Sequence, residues 1–181
     1  MGVLLSTFWH RMFGTKEHKM VIVGLNNAGK TTILYHWHLG EAIRTQPTIG
    51  GNVEEVNFRN LKFTVWDLGG QESLRSSWAL YYSGVAAVVL VVDSSELERL
   101  PLVKEELLKM LAHPDLLSAV VLVFANKQDV PGALGAAEIS SALGLDTITR
   151  HEWHIEGCCA LTGAGLWDGL SWVSERMKAR T

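Results

Sequence analysis

The stretch Gly24-Leu25-Asn26-Asn27-Ala28-Gly29-Lys30-Thr31 constrains the fold more than any other part of the chain. It fits the spacing G-x-x-x-x-G-K-[ST] and lies between the apolar, β-branched run Met20-Val21-Ile22-Val23 and a helical pattern over residues 30–39. Such a loop works only where a buried strand delivers it and a helix begins at its end. Its glycines let backbone N–H groups turn inward, the helix N-terminus adds a partial positive charge, Lys30 adds a full one, and the Thr31 hydroxyl can ligate Mg²⁺. An ordinary glycine-bearing turn requires neither the lysine nor the hydroxyl. Residues 24–31, with Thr32 next to them, are therefore expected to grip a chain of phosphates.

The rest of the chain extends this opening into an α/β domain. Residues 52–59 and 61–67 read as two strands joined tightly near Asn60, and a hairpin is the simplest connection. Residues 86–92 and 120–125 are continuously apolar, as strands covered on both faces should be, and a helical pattern over 97–111 lies between them. Parallel strands with crossover helices follow. A helix over 136–143, a short strand over 153–158 and an amphipathic helix over 166–177 complete the series. The expectation is an α/β P-loop NTPase fold with a six-stranded, mainly parallel sheet flanked by helices, and one antiparallel edge strand.

Composition narrows the function. With 181 residues, 48% of them hydrophobic, the chain fits one compact domain, and a net charge of −3 without a basic block leaves no footprint for nucleic acid. Cys158 and Cys159 are adjacent, which would strain a bridge between them, argues against a disulfide framework and fits a reducing, cytoplasmic setting. The seven histidines are scattered and lack the spacing of a zinc site, and the seven tryptophans are not interleaved with basic residues as a base-stacking surface would require.

Two further segments follow strands, at the end where open α/β sheets bind ligands. Asn126-Lys127-Gln128-Asp129 comes directly after the run ending at Ala125. Guanine presents N–H donors on its ring and exocyclic amine, so the Asp129 carboxylate could accept both, whereas adenine would set that carboxylate against acceptors. A mismatch of that kind in a dehydrated site costs about 1–3 kcal/mol. Asp67-Leu68-Gly69-Gly70-Gln71 puts an acid near the metal, flexible glycines near the terminal phosphate and an amide that could orient water.

Together, Gly24-x-x-x-x-Gly29-Lys30-Thr31, Pro47-Thr48-Ile49-Gly50, Trp66-Asp67-x-Gly69-Gly70-Gln71, Asn126-Lys127-Gln128-Asp129 and Cys159-Ala160 resemble the ADP-ribosylation-factor-like (Arf-like) small GTPases. Residues 71–78 and Trp153-His154-Ile155 look most like the fifth Arf-like subgroup, which is associated with Golgi membranes. The resemblance implies a slow GTP hydrolase cycling between GTP and GDP with Mg²⁺. In it Thr48 joins Thr31 at the metal, the Gly70 amide meets the γ-phosphate, Gln71 positions the attacking water, and Cys159-Ala160 flanks the guanine. It implies an exchange factor, a GTPase-activating protein and membrane-tethering or coat effectors in vesicle traffic, with the chain itself a monomer. No arginine is evident in the sequence to neutralise transition-state charge in cis. Two departures stand out: Asn26 where the family usually has Asp, and Gly51 where many Arf proteins carry Phe.

The N-terminal residues carry a separate expectation. Met1-Gly2 with Ser6 matches the myristoylation pattern at Gly2, and Leu4, Leu5, Phe8, Trp9 and Met12 would form one apolar helical stripe. One acyl chain binds membranes only marginally, so the stripe would supply the second signal. Residues 1–15 are expected to be an amphipathic membrane-switch helix and residues 16–181 the GTPase domain, peripheral on Golgi or endomembranes when GTP is bound. Two competing readings differ: a kinase-like phosphotransferase would need an arginine-rich acceptor lid, absent here, and an interaction module would bind GTP with little turnover.

Overall fold

The structure, a computed structural model, describes residues 16–43, 45–46 and 48–180. The lipidation site Gly2, the N-terminal stripe and Pro47 lie outside the described residues. β1 (Lys16–Val23) ends in four fully buried residues, Met20 to Val23, and hands the chain through the glycine loop to α1 (Lys30–Leu39). β2 (Gly51–Phe58) and β3 (Leu61–Leu68) form the expected antiparallel hairpin, turning at Arg59-Asn60, where Arg59 takes the left-handed φ of 54°. A short helix α2 (Glu72–Arg75) and a 3₁₀ turn (Trp78–Tyr81) follow, then β4 (Val85–Asp93), α3 (Leu100–Leu111), β5 (Val120–Asn126), α4 (Ala136–Leu143), β6 (Trp153–Gly157) and α5 (Leu166–Ala179).

These strands make one six-stranded sheet in the order β2-β3-β1-β4-β5-β6, parallel throughout except for the β2–β3 pair. Alternate residues of the central strands serve two cores. Val21, Val23 and Leu90 pack with Leu107 of α3 and Ile139 of α4, while Met20, Ile22 and Val89 pack with Ile33 of α1 and Leu170 of α5. Helices therefore cover both faces, which explains why β4 and β5 read as unbroken apolar runs. The neighbours of β1 in the sheet, β3 and β4, both follow it in sequence, so a crevice opens at its carboxyl end where the order reverses.

The helix expected over 97–111 is divided. Residues Leu97–Arg99 form a 3₁₀ turn and the α-helix proper starts at Leu100, with Pro101 in the first turn, where its missing N–H costs nothing. No helix among the described residues is long and apolar enough to cross a membrane.

Candidate functional site

The carboxyl ends of β1, β3, β5 and β6 surround a cavity of about 510 Å³, within the range of small-molecule sites. The phosphate loop forms its floor. Gly24 (φ 146°) presses so closely on β4 that a side chain there would overlap the Val91 carbonyl, and Gly29 (φ 100°) presses as closely on the Asn126 amide. Leu25 and Ala28 are buried and anchor the loop in the core rather than lining the cavity, whereas Asn26, Asn27, Gly29, Lys30, Thr31 and Thr32 do line it. Lys30 is buried and donates to the Leu25 carbonyl at 2.9 Å. Burial pulls its pKa down from 10.5 to about 8, against the attraction of Asp67 and with some help from the Arg99 charge. A cation held this way gains from an anion placed beside it.

Three oxygen-bearing side chains meet at one point next to Lys30. The Thr31 hydroxyl donates to Asp67 Oδ2 at 2.5 Å and lies 2.8 Å from the Thr48 hydroxyl, which itself reaches Asp67 Oδ2 at 3.2 Å. Asp67 is fully buried, and its Oδ1 has no protein partner. Burial raises its pKa, opposed by the Thr31 hydrogen bond, by Lys30 and by the Thr48 hydrogen bond. Two hydroxyls and a carboxylate with a spare oxygen form a hard, all-oxygen donor set that suits Mg²⁺.

Beyond the floor, the segment after β3 is tied to its surroundings by its own backbone. Gly69 N–H donates to the Gly50 carbonyl at 2.9 Å, and the buried Trp78 indole donates to the Gly69 carbonyl at 2.9 Å. The Gly70 carbonyl accepts from Asn26 N–H at 3.2 Å, and a side chain at Gly70 would overlap Gly24, Leu25 and Asn26. Gly70 and Gln71 both line the cavity. Arg75 of α2 pairs with Glu106 of α3 at 3.0 Å, fixing the far end of the segment.

At the opposite end, Asn126 ties three segments together. Its Nδ2 donates to the Ala28 carbonyl at 2.7 Å, while its Oδ1 accepts from Ala160 N–H at 2.9 Å and from the Cys158 thiol at 3.5 Å. Lys127, in the left-handed region at φ 66°, pairs with Asp93 at 2.5 Å. Burial alone would raise the pKa of Asp93, but the hydrogen bonds from Lys127 and Ser95 outweigh it and hold the carboxylate low. Asp129 lines the cavity and accepts from the Cys159 thiol at 3.2 Å. Gln128 does not line the cavity; its side chain donates to the carbonyls of Ala125 and Leu134 and so pins the loop. Cys159 is buried behind Asp129, and Ala160 lines the cavity with Leu161.

Several lining residues were not singled out in the sequence. Thr45, Gln46, Val130 and Leu161 complete the wall, and each lies within a few residues of a recognised motif without belonging to it. Arg99 also stands at the phosphate loop, bonded to Asn26, although it does not line the main cavity. Beside β2 an apolar surface is left open: Ile49 and Leu80 are 88% and 81% exposed, and Trp66 and Tyr81 pack at 5.4 Å. Gly51 contributes no side chain to it; a Cβ there would sit 3.4 Å from Leu68 and 3.7 Å from the Tyr81 hydroxyl.

A phosphate loop, a threonine–aspartate cluster and an Asn-Lys-Gln-Asp loop around one cavity define a small GTPase. The profile of the ADP-ribosylation factor family matches residues 5–177, and the chain belongs to that family. It is 56% identical over 180 residues to "ADP-ribosylation factor-like protein 5A" of Bos taurus, covering 99% of this chain and 100% of that protein. It is 49% identical to "ADP-ribosylation factor-like protein 5" of Caenorhabditis elegans, covering 98% of this chain and 100% of that protein. Among solved structures it is similar to the Arl6 BBS3 small GTPase of Trypanosoma brucei with the bound nucleotide analogue GppNp. That similarity has a TM-score of 0.86 at 37% identity, over 92% of this chain and 100% of the other. As a member of this family, the chain is a GTP-binding switch and a GTP hydrolase.

Proposed function

We propose that this GTPase is a membrane-recruiting switch of Golgi or endomembranes, read out through the segment before β2 and the segment after β3. The observation that supports it is the meeting of Thr31, Thr48 and Asp67 beside the phosphate loop. Thr48 belongs to the segment before β2, so its contact with Thr31 makes that segment's position depend on what occupies the metal–phosphate site. In this reading Thr31 and Thr48, backed by Asp67, would hold Mg²⁺. Such an ion would supply positive charge to the phosphate oxygens. Lys30 and the amides of the loop bind the same oxygens, the Gly70 amide meets the γ-phosphate, and Gln71 orients the attacking water. Asp129 accepts from guanine, and the backbone at Ala160, which lines the cavity beside it, contributes a further contact.

Loss of the γ-phosphate removes the group that Gly70 and Thr48 face, and both segments are released with the apolar surface around Ile49, Trp66 and Tyr81 that an effector would cover. Residues 1–15, lipidated at Gly2, would then leave or seek a membrane according to nucleotide. Exchange factor, activating protein and effectors act on this cycle from outside.

Titration with fluorescent GDP, GTP and ATP analogues in Mg²⁺, followed by single-turnover hydrolysis in wild type and Gln71→Leu, tests the chemistry. Guanine-only binding and hydrolysis abolished by Gln71→Leu are expected; equal ATP binding would overturn the base assignment. Flotation of the myristoylated chain with Golgi-like liposomes tests the membrane role. Binding should be stronger with a non-hydrolysable GTP analogue than with GDP and should be lost in Gly2→Ala; equal binding in both nucleotide states would sink it.

A further inference from the structure

Asn26 occupies the border of two spaces. On one side it lines the nucleotide cavity together with Gln71; on the other it closes a pocket of about 10 Å³ with Leu25, Ala28, Glu96 and Arg99. Arg99 lines only the second. Its fork engages Asn26 twice, Nη1 donating to the backbone carbonyl at 3.1 Å and Nη2 to Oδ1 at 2.6 Å, while Nη1 is also held by Glu96 at 2.8 Å. The Asn26 carboxamide is thus tied through Oδ1 to the 3₁₀ turn Leu97–Arg99 that precedes α3. The backbone of Asn26 meanwhile donates to the carbonyl of Gly70, the residue immediately before Gln71.

Free of Arg99, that carboxamide would have one donor and one acceptor end to place beside a second carboxamide, the one that orients water. A competing amide at this position would bind the water or the γ-phosphate in a different geometry, and misplacement by about 1 Å is enough to slow a reaction up to about a hundredfold. Arg99 is not placed as a transition-state arginine here, because it lies outside the main cavity and both of its terminal nitrogens are turned to Asn26 and Glu96. Lysine could replace it only in part, since an ammonium lacks the planar fork that spans a carbonyl and a side-chain oxygen at once.

We propose that Arg99 is a positioning residue for GTP hydrolysis, parking the Asn26 carboxamide on the outer side of the phosphate loop so that Gln71 alone addresses the attacking water. The proposal rests on Gln71 as the water-orienting residue. Its effect passes through Asn26, so it predicts coupling between the two positions rather than a uniform loss.

The test is single-turnover hydrolysis by the full chain loaded with GTP and Mg²⁺, read beside the dissociation rate of a fluorescent GDP. Arg99→Ala should hydrolyse about tenfold more slowly, with GDP dissociation changed by less than about threefold, and Arg99→Lys should recover only part of the loss. The decisive comparison is made in an Asn26→Ala background, where adding Arg99→Ala should slow hydrolysis by less than about twofold, because no carboxamide remains to be parked. An Arg99→Ala protein as fast as wild type would overturn the proposal, and so would an equal penalty in the presence and absence of the Asn26 side chain. If Gln71→Leu itself left hydrolysis unchanged, the assignment of Gln71 would fail separately, and the two failures would be told apart.

Discussion

A lysine with a pKa near 8 is only about half charged at pH 8, so Lys30 should report the arrival of nucleotide through protons. Its value falls from 10.5 to about 8 on folding, so between those limits the folded chain holds fewer protons than the unfolded one. The stability of the nucleotide-free protein should therefore rise with pH across that window. Bound polyphosphate restores the charge. Titration of nucleotide-free protein with GDP at pH 8, where the terminal phosphate is already ionised, should take up about half a proton, read as heats that differ between buffers of different ionisation enthalpy. Heats independent of buffer at pH 8 would refute the assignment. Gly70 carries a second prediction, because a methyl group there meets Gly24, Leu25 and Asn26. Gly70→Ala should cost about 1–3 kcal/mol of overpacking, seen as a loss of roughly tenfold in affinity for a GTP analogue relative to GDP. That Lys30, Thr31 and Asp129 line one cavity was legible in the sequence because local spacing sets them on the loops that follow β1 and β5. Arg99 was not, since its partner Asn26 is 73 positions away and no periodic pattern links them. Gln128 sits inside a recognised motif yet spends its amide on Ala125 and Leu134.

Elements were read well where one physical rule governed them. The buried strands β4 and β5 and the β2–β3 hairpin agree closely with their patterns, while the start of α3 moved because a 3₁₀ turn shares the apolar spacing of the helix it precedes. Packing between elements was not legible. The tip of the hairpin is held to α5 by Phe58 stacked on Trp167 at 5.6 Å and by Arg59 donating to Ser171 at 2.7 Å, contacts that local sequence does not encode. α5 also seats directly on β5 through Gly169, where a Cβ would come within 2.6 Å of the Phe124 ring. On an exposed helix Gly→Ala would gain about 1 kcal/mol. Here Gly169→Ala should destabilise by about 1–3 kcal/mol, measured as a lower urea midpoint at fixed GDP and Mg²⁺. A midpoint at or above wild type would mean that α5 shifts away from the sheet at little cost.

At the scale of the molecule, the sheet order could be anticipated only as mainly parallel with an antiparallel edge, since strand order depends on crossovers that sequence patterns do not specify. The order matters because it gathers loops from β1, β3, β5 and β6 around one cavity and leaves the nucleotide to join them. Melting temperature should accordingly climb with GDP concentration, by about 2.7 kcal/mol of added stability at a hundred times Kd, and not with ATP. A melting curve indifferent to GDP would contradict this. Asn126 gives that dependence a particular form. Its carboxamide spans from the phosphate loop to the loop after β6, so the two ends of the site are jaws turning on one pin. Drawing the pin by Asn126→Ala should loosen the hold on guanosine and on pyrophosphate alike, although they lie at opposite ends of the nucleotide.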